Sequence, residues 1–277
     1  MPDEDRESVL LCPLCGEENP RTFRACWSCQ GELAGAALGR STPTQPAPPE
    51  AGPPRVVEME PARRQRLLVE LGVLMLLIWV PSIASGVFHA LARTSPMGPS
   101  RVGFYILSNC GTLALLVYLA SLDGSCRRRL GLQRPRIVRE LLWGCGVFCG
   151  MWLCGFLGVL VAHKTGLEFP GARGPRYEPE LDWILAVSTL SAVLVEEVFY
   201  RAYLWSRLTE LSRRPTLSLA VAGLGWVSTH FYTLNGSVGL LLSGWLLGWL
   251  FMERRSLWAL VLGHWAYNLS LHYHWFG

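Results

Sequence analysis

Long apolar runs fill the chain from Arg63 to the C-terminus, and they restrict the fold more than any other feature. Apolar residues make up 51% of the 277 residues and charged residues 17%, a balance too apolar for an ordinary soluble domain. Most runs approach the roughly 20 residues that a helix needs to span a bilayer, and the last three are shorter. The sequence therefore predicts an all-α polytopic membrane protein with about seven transmembrane helices, at 67–91, 103–122, 140–162, 182–206, 216–233, 237–251 and 256–272.

Basic residues alternate between the two sides of these runs. Arginines cluster before the first run, between the second and third, after the fourth and after the sixth, whereas the opposite connections carry few. Because cytoplasmic loops are rich in Lys and Arg, this pattern places the N-terminus in the cytoplasm. We expect an integral protein of the plasma membrane of a bacterium, surrounded by the lipid bilayer. No nucleic acid partner is expected, since the arginines do not line one soluble face.

Four cysteines in the first 34 residues form two C-x-x-C pairs, Cys12 with Cys15 and Cys26 with Cys29. Four thiolates complete a tetrahedral zinc site. A disulfide framework is the alternative, and a reducing cytoplasmic location disfavours it. The segment resembles the small zinc ribbons fused to many bacterial membrane proteins. A closed four-cysteine site leaves no open position for catalysis, so we expect structural Zn²⁺ and a surface that could dock a cytoplasmic partner.

Proline and glycine are frequent between the cysteine pairs and the first apolar run. They argue against a packed element, so residues 35–62 are predicted to be a linker. The predicted domains are therefore a zinc ribbon at 1–34, this linker, and a transmembrane helical domain at 63–277.

Three charged residues, Glu196, Glu197 and Arg201, lie inside the fourth apolar run, where charge is costly. Glu197 and Arg201 are four residues apart and share a helix face, so they can form an ion pair. Adjacent helix positions differ by about 100°, so Glu196 is expected to point elsewhere, without a charged partner. Such a carboxylate is suited to take and give a proton, which makes Glu196 the predicted base.

Later runs add His230, His264 and Asn268. His264 and Asn268 are four residues apart on one face, and His230 shares a face with Trp226. Histidine and asparagine can donate hydrogen bonds to a developing oxyanion. A carboxylate with a histidine can orient and deprotonate a water molecule. With Glu196, these residues supply the groups that hydrolysis of a peptide bond requires.

The same polar groups also have non-catalytic interpretations. An intramembrane histidine is often only an interhelical hydrogen bond, and a Glu–Arg pair can be a structural clasp. A scaffold or chaperone would use the cluster and the cysteine unit to bind a partner, and it should tolerate Glu196→Gln, whereas a base cannot. A transporter is a third class, but the runs show no inverted repeat with paired broken helices.

Three motifs in order resemble those of the CPBP intramembrane proteases, the group that includes the CAAX prenyl endopeptidases. Residues 196–204 resemble the first motif, and 226–230 resemble Phe-x-x-x-His with Trp226 in place of phenylalanine. Residues 264–268 match His-x-x-x-Asn. The resemblance covers about 182–272, the predicted protease core. Since tryptophan keeps an aromatic ring, its substitution is expected to change little.

The resemblance implies an intramembrane endopeptidase that cuts a membrane-presented peptide or protein. Glu196 and His230 would activate the hydrolytic water, and His264 and Asn268 would stabilise the oxyanion. The other two charged residues of the first motif would support the site. A zinc ion bound by Glu196, His230 and His264 is a chemically reasonable alternative, and we favour the metal-free glutamate mechanism.

The predicted span ends do not place these residues at one depth. Counted from the cytoplasmic ends at ~1.5 Å per residue, Glu196 and His264 lie at similar depth. His230 comes out roughly 5–10 Å nearer the far side. A tilted or deeper fifth helix, or different span ends, would remove this mismatch.

Overall fold

A computed structural model describes residues 9–11, 18–20, 26, 61–84, 87, 99–122, 130–132, 134–166, 182–230 and 237–275. The chain divides into two compact units, Met1–Arg64 and Gln65–Gly277. In the first unit, strands β1 (Val9–Leu11) and β2 (Glu18–Pro20) pair antiparallel, with Leu10 opposite Asn19.

The predicted zinc ligands fall almost entirely outside the described residues. Cys26 is described and is buried. Cys12, Cys15 and Cys29 lie outside the described part of the chain. The zinc site therefore stays a prediction.

From Pro61 onward, the described part of the chain is built from helices. They are α1 (Pro61–Leu74, continued by a π-helical turn, Met75–Trp79), α2 (Pro99–Ser121), α3 (Ile137–Thr165), α4 (Asp182–Glu196, a π-helical segment Glu197–Leu204, and Trp205–Ser212), α5 (Pro215–Ser228), α6 (Ser237–Arg254) and α7 (Leu257–Trp275).

Helix α1 begins at Pro61, which was predicted to belong to the linker. Proline suits the first helical position because its ring fixes φ and its missing N–H would have no helical partner there.

Among the described helices, four are long and apolar enough to cross a membrane: Pro61–Ala84, Val102–Ser121, Ile137–Thr165 and Trp183–Ser212. Helix α5 is apolar but shorter. The predicted count of seven spans is therefore not confirmed and stays a prediction.

Helix α4 lies at the centre of the helical unit. In its most apolar window 44% of residues are buried, against 11–22% for the other three candidate spans. Helices α2, α5 and α7 pack on α4, and α3 packs on α6 and α7. Apolar side chains such as Phe104 and Leu107 remain exposed on α2, as a lipid-facing surface requires.

A tight turn joins α4 to α5 and sets the depth of the site. Helix α4 continues to Ser212, beyond its predicted end at 206. Arg213 then adopts a left-handed conformation with φ 56°, and Pro215 starts α5. Glu196 and His230 consequently both lie about four helical turns from this connection. The predicted end of the fourth span was too early, and this shortened the count from Glu196 to the connection with α5.

A buried polar cluster attaches α1 to α4. The hydroxyl of Tyr203 donates to the carboxylate of Glu70. Arg207 Nε donates to Glu70 Oε1 at 3.0 Å, and Arg207 also pairs with Glu210 at 3.3 Å. Arg207 was predicted to follow the fourth span, yet it lies within α4 and is buried because Glu70 and Glu210 offset its charge.

Helix α3 approaches α6 and α7 at glycines. A Cβ atom on Gly158 would lie 2.5 Å from the backbone nitrogen of Gly239 on α6. A Cβ atom on Gly263 of α7 would lie 2.5 Å from the carbonyl oxygen of Gly144 on α3. Small residues allow such backbone contact between helices in a membrane, where packing rather than water drives association.

Gly158→Ala should therefore lower the free energy of unfolding by about 1–3 kcal/mol, because the new methyl group meets backbone that cannot move aside. Gly146→Ala on the same helix is the matched control, since a Cβ there meets nothing within 4 Å. The control should leave stability unchanged or raise it by up to about 1 kcal/mol. Unfolding in detergent measures both, and equal effects would contradict the close approach of α3 and α6.

Candidate active site

The first polar motif lies on a π-helical segment of α4, Glu197–Leu204, which directly follows Glu196. A π-helix holds more residues per turn than an α-helix, since its hydrogen bonds run from i to i+5. Successive side chains are therefore closer in direction than the about 100° of an α-helix. The sequence predicted an α-helix here, with Glu197 paired to Arg201 and Glu196 pointing elsewhere; in the structure Glu197 reaches Nδ1 of His264 and Glu196 faces Nε2 of the same ring.

Glu197 is fully buried between a guanidinium group and an imidazole. Its Oε2 lies 3.6 Å from Arg201 Nε. Its Oε1 lies 2.9 Å from His264 Nδ1. The side chains of Arg201 and His264 are themselves only 2% and 3% exposed. This buried triad joins α4 to α7.

Arg201 also lies over an aromatic ring. Its guanidinium carbon is 4.6 Å from the centroid of Trp226 on α5. The guanidinium nitrogens make no hydrogen bond with the described residues. Its charge is therefore compensated by the Glu197 carboxylate and the face of the indole ring.

Glu196 faces two imidazoles and one indole. Its Oε1 lies 3.9 Å from His230 Nε2, and its Oε2 lies 3.9 Å from His264 Nε2. The indole N–H of Trp226 donates to Oε2 at 2.7 Å. Glu196 and His230 are 22% and 20% exposed, so this side of the cluster is open while Glu197 is enclosed.

The remaining contacts orient both histidines. His230 Nδ1 lies 3.0 Å from the backbone carbonyl of Trp226, which can only accept, so Nδ1 carries the hydrogen of this bond. His264 Nδ1 in the same way donates to Glu197. Each imidazole therefore presents Nε2 to Glu196. The hydrogen bond made by Nδ1 fixes the tautomer of each ring.

Asn268 lies one turn beyond His264 on α7 and is half-buried. No hydrogen bond joins its amide to the described side chains of the cluster. The structure thus brings together Glu196, Glu197, Arg201, His230 and His264, and it does not bring Asn268 into hydrogen-bond contact with them.

The contacts of Trp226 with the cluster were not predicted from the sequence. Its ring packs against His230 with 4.9 Å between centroids and against His264 with 5.8 Å. Together with its bond to Glu196, this makes the indole the shared neighbour of the cluster. The departure from phenylalanine in the second motif was the available signal.

A metal ion would need three or more suitable side chains around one point. Among the residues that the structure describes, no group of His, Cys, Asp or Glu side chains is placed to hold one. Glu196 lies 3.9 Å from the Nε2 atom of each histidine, and its Oε2 is already hydrogen-bonded to an indole N–H.

Residues 179–270 match the family model of the Rce1-like proteins, described as type II CAAX prenyl endopeptidase Rce1-like. The resemblance to this family is confirmed over that segment. At the general level it supports a CAAX-type intramembrane protease, and with the apolar helices it indicates an integral membrane protein. Residues 8–34 match a second family model, DUF7577, a domain of unknown function. No curated protein and no solved structure matches the chain.

The two glutamates should respond differently to the same substitution. Glu197→Gln removes the charge that compensates buried Arg201, so it should lower the free energy of unfolding by about 3–5 kcal/mol. Glu196→Gln keeps an acceptor for Trp226 at a partly exposed position and should cost less than about 1 kcal/mol. Unfolding of both variants in detergent tests this difference, and a larger loss for Glu196→Gln would contradict the division between support and base.

Proposed function

We propose that the protein is an intramembrane endopeptidase that hydrolyses a peptide bond in a membrane-presented peptide or protein. The observation that carries this proposal is the placement of Glu196 between the Nε2 atoms of two histidines, at 3.9 Å from each. The match of residues 179–270 to Rce1-like proteins supports the same reaction class.

A water molecule fits between Glu196 and His230. A separation of 3.9 Å is too long for a direct hydrogen bond, and it suits a bridging water. With hydrogen on His230 Nδ1, its Nε2 can accept one water hydrogen while Glu196 accepts the other. Glu196 then takes a proton as the water oxygen bonds to the peptide carbonyl carbon.

The carbonyl oxygen gains the negative charge in that step, and His264 is placed to stabilise it. A donor at His264 Nε2 requires the imidazolium form, because Nδ1–H already donates to Glu197. The Glu197 carboxylate stabilises that cation and holds its orientation. The amide of Asn268, one turn away, is our second oxyanion donor. When the carbon–nitrogen bond breaks, Glu196 returns its proton to the leaving amine.

An enzyme accounts for the contrast in exposure better than a scaffold does. A purely structural clasp would enclose all its charges, as Glu197 and Arg201 are enclosed. Glu196 and His230 are instead about one-fifth exposed, and they share the open side of the cluster. A substrate carbonyl needs access on that side.

We favour the metal-free glutamate mechanism over a zinc mechanism. Glu196 lies 3.9 Å from the Nε2 atom of each histidine, a separation that a water molecule can bridge, and each histidine is oriented by an acceptor at Nδ1. The zinc that we propose is instead structural and belongs to the first unit. Cys12 and Cys15 lie in sequence between β1 and β2, and the family match at 8–34 supports a separate small domain.

Glu196→Gln should lower kcat for peptide cleavage by about 10²- to 10⁴-fold, because an amide cannot take the proton of water. His230→Ala should lower it in the same way. The assay uses purified full-length protein in detergent or bilayers, with a farnesylated Cys-a-a-X peptide and its unfarnesylated counterpart as substrates.

Glu253→Gln is the matched control for this assay, since Glu253 is an exposed carboxylate near the end of α6. It should cleave at the wild-type rate. Equal cleavage by wild type and Glu196→Gln would exclude Glu196 as the base. If the Glu196→Gln variant cleaves no peptide but still performs the protein's biological role, the scaffold alternative is favoured.

Metal content separates the two zinc hypotheses. Full-length protein should contain one zinc ion per chain, and replacing Cys12, Cys15, Cys26 and Cys29 together by serine should remove it, because thiolates supply all four ligands. Elemental analysis of both purified proteins gives the result. Zinc retained in the serine variant together with full cleavage activity would instead support the metalloprotease alternative.

A further inference from the structure

Trp226 contacts four members of the cluster. They are Glu196, Arg201, His230 and His264. Its indole N–H donates to Glu196 Oε2 at 2.7 Å. Its ring lies under the guanidinium group of Arg201 at 4.6 Å. Its backbone carbonyl accepts from His230 Nδ1 at 3.0 Å, and the ring packs against His264. The side chain itself is almost fully buried, at 1% exposure.

A phenylalanine at this position would keep only part of these contacts. It would retain a ring face for Arg201 and for the histidines, and its backbone carbonyl would be unchanged. It has no N–H group, so the bond to Glu196 would be lost. That bond is therefore a property of this chain rather than of the Phe-x-x-x-His pattern that its second motif resembles.

The two carboxylate oxygens of Glu196 face different neighbours. The hydrogen bond from the Trp226 indole fixes which neighbour each oxygen faces. Oε2 is held by Trp226 and lies on the side of His264. Oε1 is then directed to His230, on the partly exposed side of the site. Without the indole N–H, the carboxylate of a side chain that is 22% exposed could rotate about its last torsion, which is broad for glutamate.

We propose that Trp226 is a positioning residue, whose indole N–H fixes the Glu196 carboxylate so that Oε1 faces the water held with His230. This inference rests on the proposed function, because the orientation of the Glu196 carboxylate affects catalysis only if Glu196 takes the proton from water. Trp226 takes no part in bond making or breaking. It acts through the orientation of the base.

Trp226→Phe tests the inference most directly, since it removes the N–H and keeps an aromatic ring. Loss of a hydrogen bond to a charged group should lower kcat by about 10- to 100-fold. KM should stay within about threefold, because the Trp226 side chain is only 1% exposed and offers little surface to a substrate. An unchanged kcat would overturn the inference.

Trp205→Phe is the matched control. Trp205 is also buried on the helical unit, and its indole N–H donates to the carbonyl of Pro215 at 3.1 Å, away from Glu196. Its loss removes an equivalent buried hydrogen bond, so stability should fall while kcat is retained. If both variants lose kcat in proportion to their stability, the effect of Trp226→Phe is general destabilisation and the inference is wrong.

A spectroscopic measurement separates this inference from the proposed function. In ¹⁵N-indole NMR of the full-length protein, the Trp226 signal is identified as the one that disappears in Trp226→Phe. In Glu196→Gln it should move upfield, because a neutral acceptor weakens the bond, while the Trp205 signal stays in place. A Trp226 signal that ignores Glu196→Gln would overturn the contact. A responsive signal in a protein that cleaves no peptide would refute the proposed function and leave the contact standing.

Discussion

A carboxylate fully buried between a guanidinium group and an imidazole is the interaction on which the site depends. Glu197 approaches Arg201 to 3.6 Å and His264 to 2.9 Å, so one negative charge joins helices α4 and α7. In a low-dielectric interior, removing it would leave a buried cation without compensation. His264 and Trp226, which contact Glu196, also contact Glu197 and Arg201 respectively.

The two partners of Glu197, His264 and Arg201, each orient a further part of the cluster. His264 donates Nδ1–H to Glu197 and therefore turns Nε2 to Glu196. Arg201 lies over the ring of Trp226, whose N–H donates to the same Glu196 oxygen that His264 faces. The enclosed charges thus hold the residues that contact the partly exposed carboxylate. In our proposal, support of the site and proton transfer belong to neighbouring residues of one motif, Glu197 and Glu196.

The described helices bring three separated segments together at Glu196. The left-handed turn at Arg213 returns α5 along α4, so that His230 meets Glu196. Helix α7 supplies His264 from the other side and packs on α3 through glycine contacts. Helix α1 is fixed to α4 by Glu70, whose carboxylate accepts from both Tyr203 and Arg207.

Much of this arrangement could be predicted from sequence, because apolar run lengths and charged residues inside them leave few alternatives. The helical class, the polar motifs and the family resemblance followed from such patterns. Two features did not. The π-helical segment after Glu196 has no signature in residue spacing, so the approach of both glutamates to His264 was not predicted. The end of α4 was placed too early because Arg207 looked like a flanking charge, whereas Glu70, distant in sequence, compensates it inside the protein.

The contribution of Trp226 was missed for a related reason. Aromatic character is visible in a sequence, but the direction of an indole N–H depends on helix packing. Tryptophan was therefore taken as equivalent to phenylalanine. Only the position of Glu196 on the neighbouring helix shows that the extra N–H has an acceptor.

The central claim is that Glu196 takes a proton from the attacking water and is not needed to hold the bound peptide. Equilibrium binding of a cleavable peptide to Glu196→Gln, compared with binding of an uncleavable analogue to wild type, tests this claim most directly. The account predicts a Kd within a few-fold of wild type, with no cleaved product. A Glu196→Gln protein that loses affinity for the peptide by 100-fold or more, or that still cleaves it, would contradict the account.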